Sequence, residues 1–362
     1  MFSLKLVELP MPTGSSDPDV LLDWLLESMG LVRRRTDGSS GEEAHSGALH
    51  RMMRDALLVD PLKGWDSKEL GDETGLSNTG VHHQISKLRE CGLVSVHVDG
   101  KWHRHVLRGG SITAATRLSG SQARSVLGIR LAELSSVVNP SETRMEVDSE
   151  DDDQSFSIRI TENRPRREGI TPTDELARDL GLAGDSPREG DDLASRVLSE
   201  LGSRDYPVTL IALSESLSDS RGRVNTIVER MRASGILERV PMLDRISQDV
   251  FSGLMRQHDA RGEGWLMTKG GLGRLDESVS KALVEGVVEG SLDIDAVRSI
   301  LGDVPSGDQR VLLNTLGGRM PFGFRLAASD HKGVSERVLR LADRTLRRIA
   351  TVAERLDDSL GK

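Results

Sequence analysis

The chain has 362 residues, enough for two or three domains, with 36% apolar residues, 3% aromatic and a net charge of −9. So few aromatics leave the core to Leu, Val, Ile and Ala, which favours small helical units over a large sandwich, and a single cysteine, Cys91, excludes an internal disulfide and a cysteine-built zinc site. No apolar run approaches the roughly 20 residues that span a bilayer, and the opening MFSLKLVELPMPTGSS lacks the charged-then-apolar order of a signal peptide, so a soluble cytoplasmic protein is expected.

In chain order, the first predicted element is a short amphipathic helix at about 18–31, with Val20, Leu21, Trp24, Leu25 and Met29 on one face. With the polar stretch RRRTDGSSGEEAHSG after it, read as a loop, it makes residues 1–46 a helix and a flexible segment. Residues 47–138 then read helix, helix, helix, hairpin, with trailing helices. GALHRMMRDALLV is the first helix. DSKELGDETGL is the second, capped by Asp66 or Ser67 and ended by Gly75. The third opens at Ser77 or Asn78 and puts Val81, Ile85 and Leu88 on one buried face. LVSVHVDGKWHRHVL alternates around Asp99-Gly100, a two-residue hairpin signal that sets Val96 opposite His103 and His97 opposite Trp102. Two short helices, a tight turn and a hairpin describe a winged helix-turn-helix. SITAATRLSGSQARSVLGIRLAELSSVV follows as one or two helices packed behind it.

Residues 139–190 read as an acidic linker: between 141 and 190 there are 14 acids against 7 arginines. The rest is near balance, with 9 Lys/Arg against 8 acids over 45–110 and 12 against 12 over 191–275. The chain-wide charge therefore weighs against nucleic acid less than it first suggests, because a local basic patch remains open.

A repeat marks a second unit at 191–275. SKLRECGLV (86–94) aligns with ERMRASGIL (229–237) at an offset of 143, which also pairs Val81 with Val224, Ile85 with Val228, Leu88 with Met231, Gly92 with Gly235 and Leu70 with Leu213. DDLASRVLSEL and TLIALSESL supply its first two helices. Its wing is read as ILERV against GWLMTKGG, with 241–263 inserted. The remainder, 276–362, is a helical region. Its last helix, at 333–360, carries an a/d pattern at Leu339, Ala342, Leu346, Ile349, Ala353, Leu356 and Leu360 that suits either docking on its own domain or a dimerising coiled coil. Arg337, Arg340, Arg344 and Arg347 line another face. The fold expected is mostly α with small β-hairpin wings: tandem winged helix-turn-helix domains and a C-terminal helical region.

Residues 47–108, with ELGDETGLSNTGVHHQISKLRECGLV followed by DGKWHRHVL, resemble the ArsR-type winged-helix transcriptional regulators. The resemblance implies a homodimer that sets one helix per subunit in the major groove of double-stranded DNA, and at His105 it places a wing residue packed on the body. It departs from the family in two places: His82, His83 and Gln84 stand where members carry Ser-x-His, and the second helix lacks the Cys-x-Cys of the metal sensors.

On the residues themselves, Ser77, Asn78, Thr79, His82, His83, Ser86 and Lys87 face solvent on the third helix and can bond base edges or phosphates. Lys101 and Arg104 occupy the wing, where a hairpin meets the backbone or minor groove. In the second unit Arg221, Arg223 and Asn225 hold the equivalent place, with Thr226, Arg230 and Arg232 following and Asp219, Glu229 and Glu238 diluting the patch. His82, His83, His103 and His105 are not spaced as a metal set, since adjacent helix residues diverge by about 100°; titrating imidazoles suit a mild pH dependence of DNA affinity better. No Walker loop, Gly-x-Ser-x-Gly or His-Glu-x-x-His occurs, so neither catalysis nor a cofactor is expected. The expected function is sequence-specific DNA-binding transcription regulation. The alternatives are a non-catalytic tandem winged-helix scaffold for protein partners in a chromosome- or transcription-associated complex, and an RNA-binding module.

Overall fold

A computed structural model describes residues 1–32, 47–146, 149, 154–165, 168–185, 187–188 and 190–361, save the side chains of 243 and 244. The polar loop expected at 33–46 lies outside the described residues. The chain is mostly helical, with three small antiparallel sheets among the described residues.

The first strand, β1 (Ser3–Val7), is absent from the sequence reading. Its alternation puts Leu4 and Leu6 into the core while Lys5 stays outside. Helix α1 (Pro18–Ser28) follows, N-capped by Asp17 and burying Leu21, Leu22, Trp24, Leu25 and Leu26. The first unit begins with α2 (Ala48–Arg51), which widens into a π-helical stretch over Met52–Leu57. Helix α3 (Ser67–Thr74) starts on a capping box between Asp66 and Glu69 and stops at Gly75, whose φ of 66° is left-handed. Helix α4 (Asn78–Glu90), capped by the Ser77 hydroxyl, buries Val81, Ile85 and Leu88 as its spacing predicts.

Strands β2 (Val94–Asp99) and β3 (Trp102–Leu107) form the hairpin. The turn falls one residue later than expected, on Gly100-Lys101, so Val96 faces His105 and His97 faces Arg104. A turn on Asp99-Gly100 needs positive φ at both residues. With Gly100 first (φ 60°) only the glycine takes that strain, and Asp99 stays paired with Trp102. Helix α5 (Ile112–Ala132) then runs as one piece.

Residues 139–190, read as a linker, contain β4 (Ser157–Thr161), which pairs antiparallel with β1 from Ser3↔Thr161 to Val7↔Ser157, and α6 (Pro172–Asp179). Charge balance missed both because two of the acids in α6 are satisfied within the fold. Asp174 completes a capping box with Thr171, and buried Asp179 meets the Arg130 guanidinium of α5 at 3.1 Å. Burial raises the Asp179 pKa, and Arg130 opposes that shift.

The second unit repeats the first in register. After α7 (Leu193–Ser203) come β5 (Val208–Thr209), α8 (Leu210–Ser216) and α9 (Arg221–Ala233). Shifted by 143, α4 lands residue for residue on α9, cap Ser77 on cap Ser220, cap Asp66 on cap Thr209, and Gly92 (φ 79°) on Gly235 (φ 78°). Trp65, which bridges His105 of β3 through paired backbone bonds of 2.9 and 2.7 Å, lands on Val208 of β5.

Gly75 lands on Ser218, the only non-glycine with positive φ (50°) among the described residues. A Cβ in that region is disfavoured, so Ser218→Gly is expected to raise stability by about 0.5–1 kcal/mol, read as a higher urea midpoint. An unchanged or lower midpoint would show that the serine is not strained there.

The second unit departs from the first after its third helix. Strand β6 (Leu237–Pro241) pairs with β7 (Phe322–Leu326), not with GWLMTKGG, which forms helix α11 (Glu263–Thr268). Between the two strands sits a helical body: α10 (Leu243–Arg261), α11, α12 (Glu277–Glu289), α13 (Ile294–Leu301) and α14 (Ser306–Thr315), with its own core around Ile246, Leu254, Leu266, Leu283, Val297 and Leu313. The boundary drawn at 275 therefore cuts this body, and the unit closes only at β7, the central strand of a β5-β7-β6 sheet.

Helix α15 (His331–Ser359) packs antiparallel to α5, joined by Ser335 to the Leu131 carbonyl at one end and by Asp357 to the Thr113 amide at the other. Val334, Val338, Ala342, Thr345, Ile349, Val352 and Leu356 are buried inside the chain, so most of the predicted a/d pattern serves internal docking, with Leu339 and Leu346 left half-buried. Arg344 and Arg348 both reach Glu8 at 2.6 Å, and Arg337 reaches Glu238. No helix among the described residues is long and apolar enough to cross a membrane.

Candidate nucleic-acid interface

Helix α4 presents the stripe Asn78, His82, Ser86 and Arg89 to an open cleft of about 770 Å³. The rest of the lining comes from Asp66, Ser67, Lys68 and Asp72 around α3, and from Lys101, Trp102 and His103 at the hairpin tip. Lys68, Arg89 and Lys101 have no carboxylate partner among the described residues, while Asp66 is already held by Lys68 N, Glu69 N and Arg104. That leaves Asp72 as the acid opposing three cations.

The predicted residues divide. Asn78, His82, Ser86 and Lys101 line the cleft. Thr79 and His83 are exposed outside it. Ser77 is exposed but committed as a cap, accepting from Gly80 N at 3.2 Å. Lys87 points away, into a separate recess with Gln84, Lys5 and Arg159. Arg104 is not a free cation: it donates to Glu69 (3.1 Å), Asp66 (3.4 Å) and the Gly64 carbonyl (3.2 Å), tying the hairpin to α3.

In the second unit Arg223 is likewise consumed, bound by Asp219 at 2.8 Å and by both oxygens of Asp191 at 3.0 Å. Arg221 is exposed and without an ion pair among the described residues, and Asn225 is half-buried. The counterparts of the cleft residues have changed character. Ser86 and Arg89 become Glu229 and Arg232, joined at 2.7 Å, and Lys68 becomes the exposed Ile211.

Sequence reasoning missed Lys68, Arg89, Trp102 and His103. Arg89 was findable, since it continues the Asn78–His82–Ser86 stripe by one more turn. Lys68 sits on another helix, and only the fold brings it across.

His105 is buried in the wall of the cleft. Burial first, then the nearby Arg89, His103 and His82, lower its pKa to about 4. It is therefore neutral near physiological pH, which removes it from any imidazole switch there. Cys91 is buried with its thiol pushed up to about 12 by burial, and it behaves as a small apolar residue. No group of three or more His, Cys, Asp or Glu among the described residues is placed to hold a metal ion.

Comparison with known proteins adds no relative: no family model, no curated protein and no solved structure matches the chain.

Proposed function

We propose that this protein is a non-catalytic, DNA-binding transcription regulator in which both repeated units are winged helices and only the first reads duplex DNA. The observation that carries the reading is the cleft of the first unit. There the outward stripe of α4 and the hairpin tip share one open surface, and Lys68, Arg89 and Lys101 are unspent on internal ion pairs among the described residues. Amide, imidazole, hydroxyl and guanidinium groups along α4 suit base edges in the major groove, and the three cations suit phosphates on either side.

The second unit is better suited to protein. Its sheet opens into the inserted helical body instead of a free hairpin. At the places of Lys63 and Lys68 it exposes Tyr206 and Ile211, at 57% and 52%. This division keeps part of the scaffold reading, confined to the second unit. Homodimer formation follows from the ArsR-type resemblance, and the exposed Leu118 and Ile129 on α5 offer it an apolar surface.

The deciding experiment is titration of the whole protein with a labelled mixed-sequence 30-bp duplex at 20 and 200 mM salt. Micromolar or tighter binding at low salt that weakens steeply at high salt is expected, because cations that displace condensed counterions impose that slope. Absence of duplex binding at 20 mM salt sinks the reading.

A further inference from the structure

Of the chain's four tryptophans, three have partners within the fold. Trp24 and Trp65 are buried and donate their indole N–H to the carbonyls of Pro10 (2.7 Å) and Asp60 (2.9 Å). Trp265 packs on the core of the inserted body and carries the Arg261 guanidinium on its ring, 4.6 Å from the centroid. Trp102 has none of this. It is 56% exposed, its ring carries no cation, and its N–H meets no acceptor among the described residues.

Its place makes that exposure informative. Trp102 opens β3 directly after the turn, and every residue from His97 to His103 is exposed, so the tip stands clear of the body. Lys101 adjoins it, Asp99 faces it across the ladder, and Val98 beside them is 69% exposed. A protein pocket would call for an apolar surround, whereas the neighbours here, Val98 apart, are a lysine, an aspartate and histidines. A flat amphipathic ring carrying one donor and flanked by a cation matches a different surface. The minor-groove floor offers mainly acceptors, the base step beneath offers a π face, and the phosphates alongside attract the lysine.

We propose that Trp102 is a wedge: when α4 occupies the major groove, the hairpin tip enters the adjacent minor groove and the indole presses into a base step, kinking the duplex. This rests on the DNA-binding reading above. Lys101 holds the tip on the backbone. Asp99 is the acid at the tip and opposes close approach, which limits how long the tip stays inserted.

The test is end-to-end energy transfer on a doubly labelled 30-bp mixed-sequence duplex at 20 mM salt, with the full-length protein and its Trp102→Ala and Trp102→Phe variants. Wild-type protein is expected to shorten the end-to-end distance. Trp102→Ala should leave that distance at the free-duplex value and bind about 10- to 100-fold more weakly, as for loss of one aromatic–base stack. Trp102→Phe should keep most of the bend. An alanine variant that bends and binds like wild type overturns the wedge, as does wild-type binding without any change in distance; both leave duplex binding standing. No wild-type binding at all removes the wedge and the reading together. An unchanged thermal midpoint for Trp102→Ala shows that the variant is folded, because the exposed ring holds nothing in place.

Discussion

Glu238→Ala is expected to lower the stability of the protein by about 3–5 kcal/mol. Glu238 and Arg325 are each 2% exposed and face each other across β6 and β7. One carboxylate oxygen accepts from Nε and Nη2 of Arg325 at 3.0 and 2.8 Å, and the other from Arg337 of α15 at 2.9 Å. The remaining Nη1 of Arg325 donates to the Arg144 carbonyl. Arg144 is itself buried, with its guanidinium spread over the carbonyls of Asn139, Arg204 and Ser329 at 2.8–3.1 Å. Removing the carboxylate leaves the buried Arg325 guanidinium without its counter-ion beside the partly exposed Arg337, and the penalty for an unpaired buried charge exceeds what the pair contributes when intact. The check is urea unfolding of Glu238→Ala beside the triple replacement Glu238→Leu, Arg325→Met, Arg337→Leu. The triple variant, with no charge left to strand, should lose much less. Equal losses would mean that the site matters for its packing volume and not for its charge.

The second large effect is on binding. Lys68→Ala, Arg89→Ala and Lys101→Ala together are expected to weaken duplex affinity at low salt by about 100-fold or more and to reduce the slope of log K against log salt by about 3. Each of the three is free of ion pairs among the described residues and lines the same cleft, so each can hold a phosphate without first breaking an internal contact. Arg221→Ala with Arg223→Ala is the matched control. Arg223 already spends its guanidinium on Asp191 and Asp219, so the pair should change affinity by less than about threefold, within the range of screened surface charges. If the two sets cost the same, the assignment of DNA to the first unit alone fails.

Much of this architecture was legible because it is local. The caps Asp66 and Ser77, the stop at Gly75 and the buried triad Val81, Ile85 and Leu88 all depend on residues within a few turns of one another, and the offset of 143 shows because the same local pattern occurs twice. What escaped depends on partners far along the chain. β1 is a strand because β4 lies beside it some 150 residues later, and SLKLV alone is too short to declare itself. The strand partner of Leu237–Pro241 was misread for the same reason, the true one being Phe322–Leu326. The expected interface both included arginines that the fold consumes and omitted cations that it leaves exposed. Arg104 is neutralised by Asp66 and Glu69, more than thirty residues upstream, and Arg223 by Asp191 at similar range as well as by the nearby Asp219. Lys68 and Arg89 gain importance because nothing in the fold claims them.

The inserted body has a consequence for the order of assembly. Pro241 and Phe322 are direct partners on adjacent strands, about 5 Å apart, so the helices between them leave and return through a single doorway. Their core is built entirely from residues of the insert, whereas β6 cannot meet β7 until those 80 residues have become compact. Contacts of long sequence separation form slowly, and local ones form fast. The insert is therefore expected to condense first as a self-contained nucleus, with the host sheet zipping shut behind it. In the same way β1, the earliest strand made, must wait for β4. A chain emerging from the ribosome would thus hold α3, α4 and the β2–β3 hairpin formed while both ends of its sheet network, and the α15 partner of α5, were still to come.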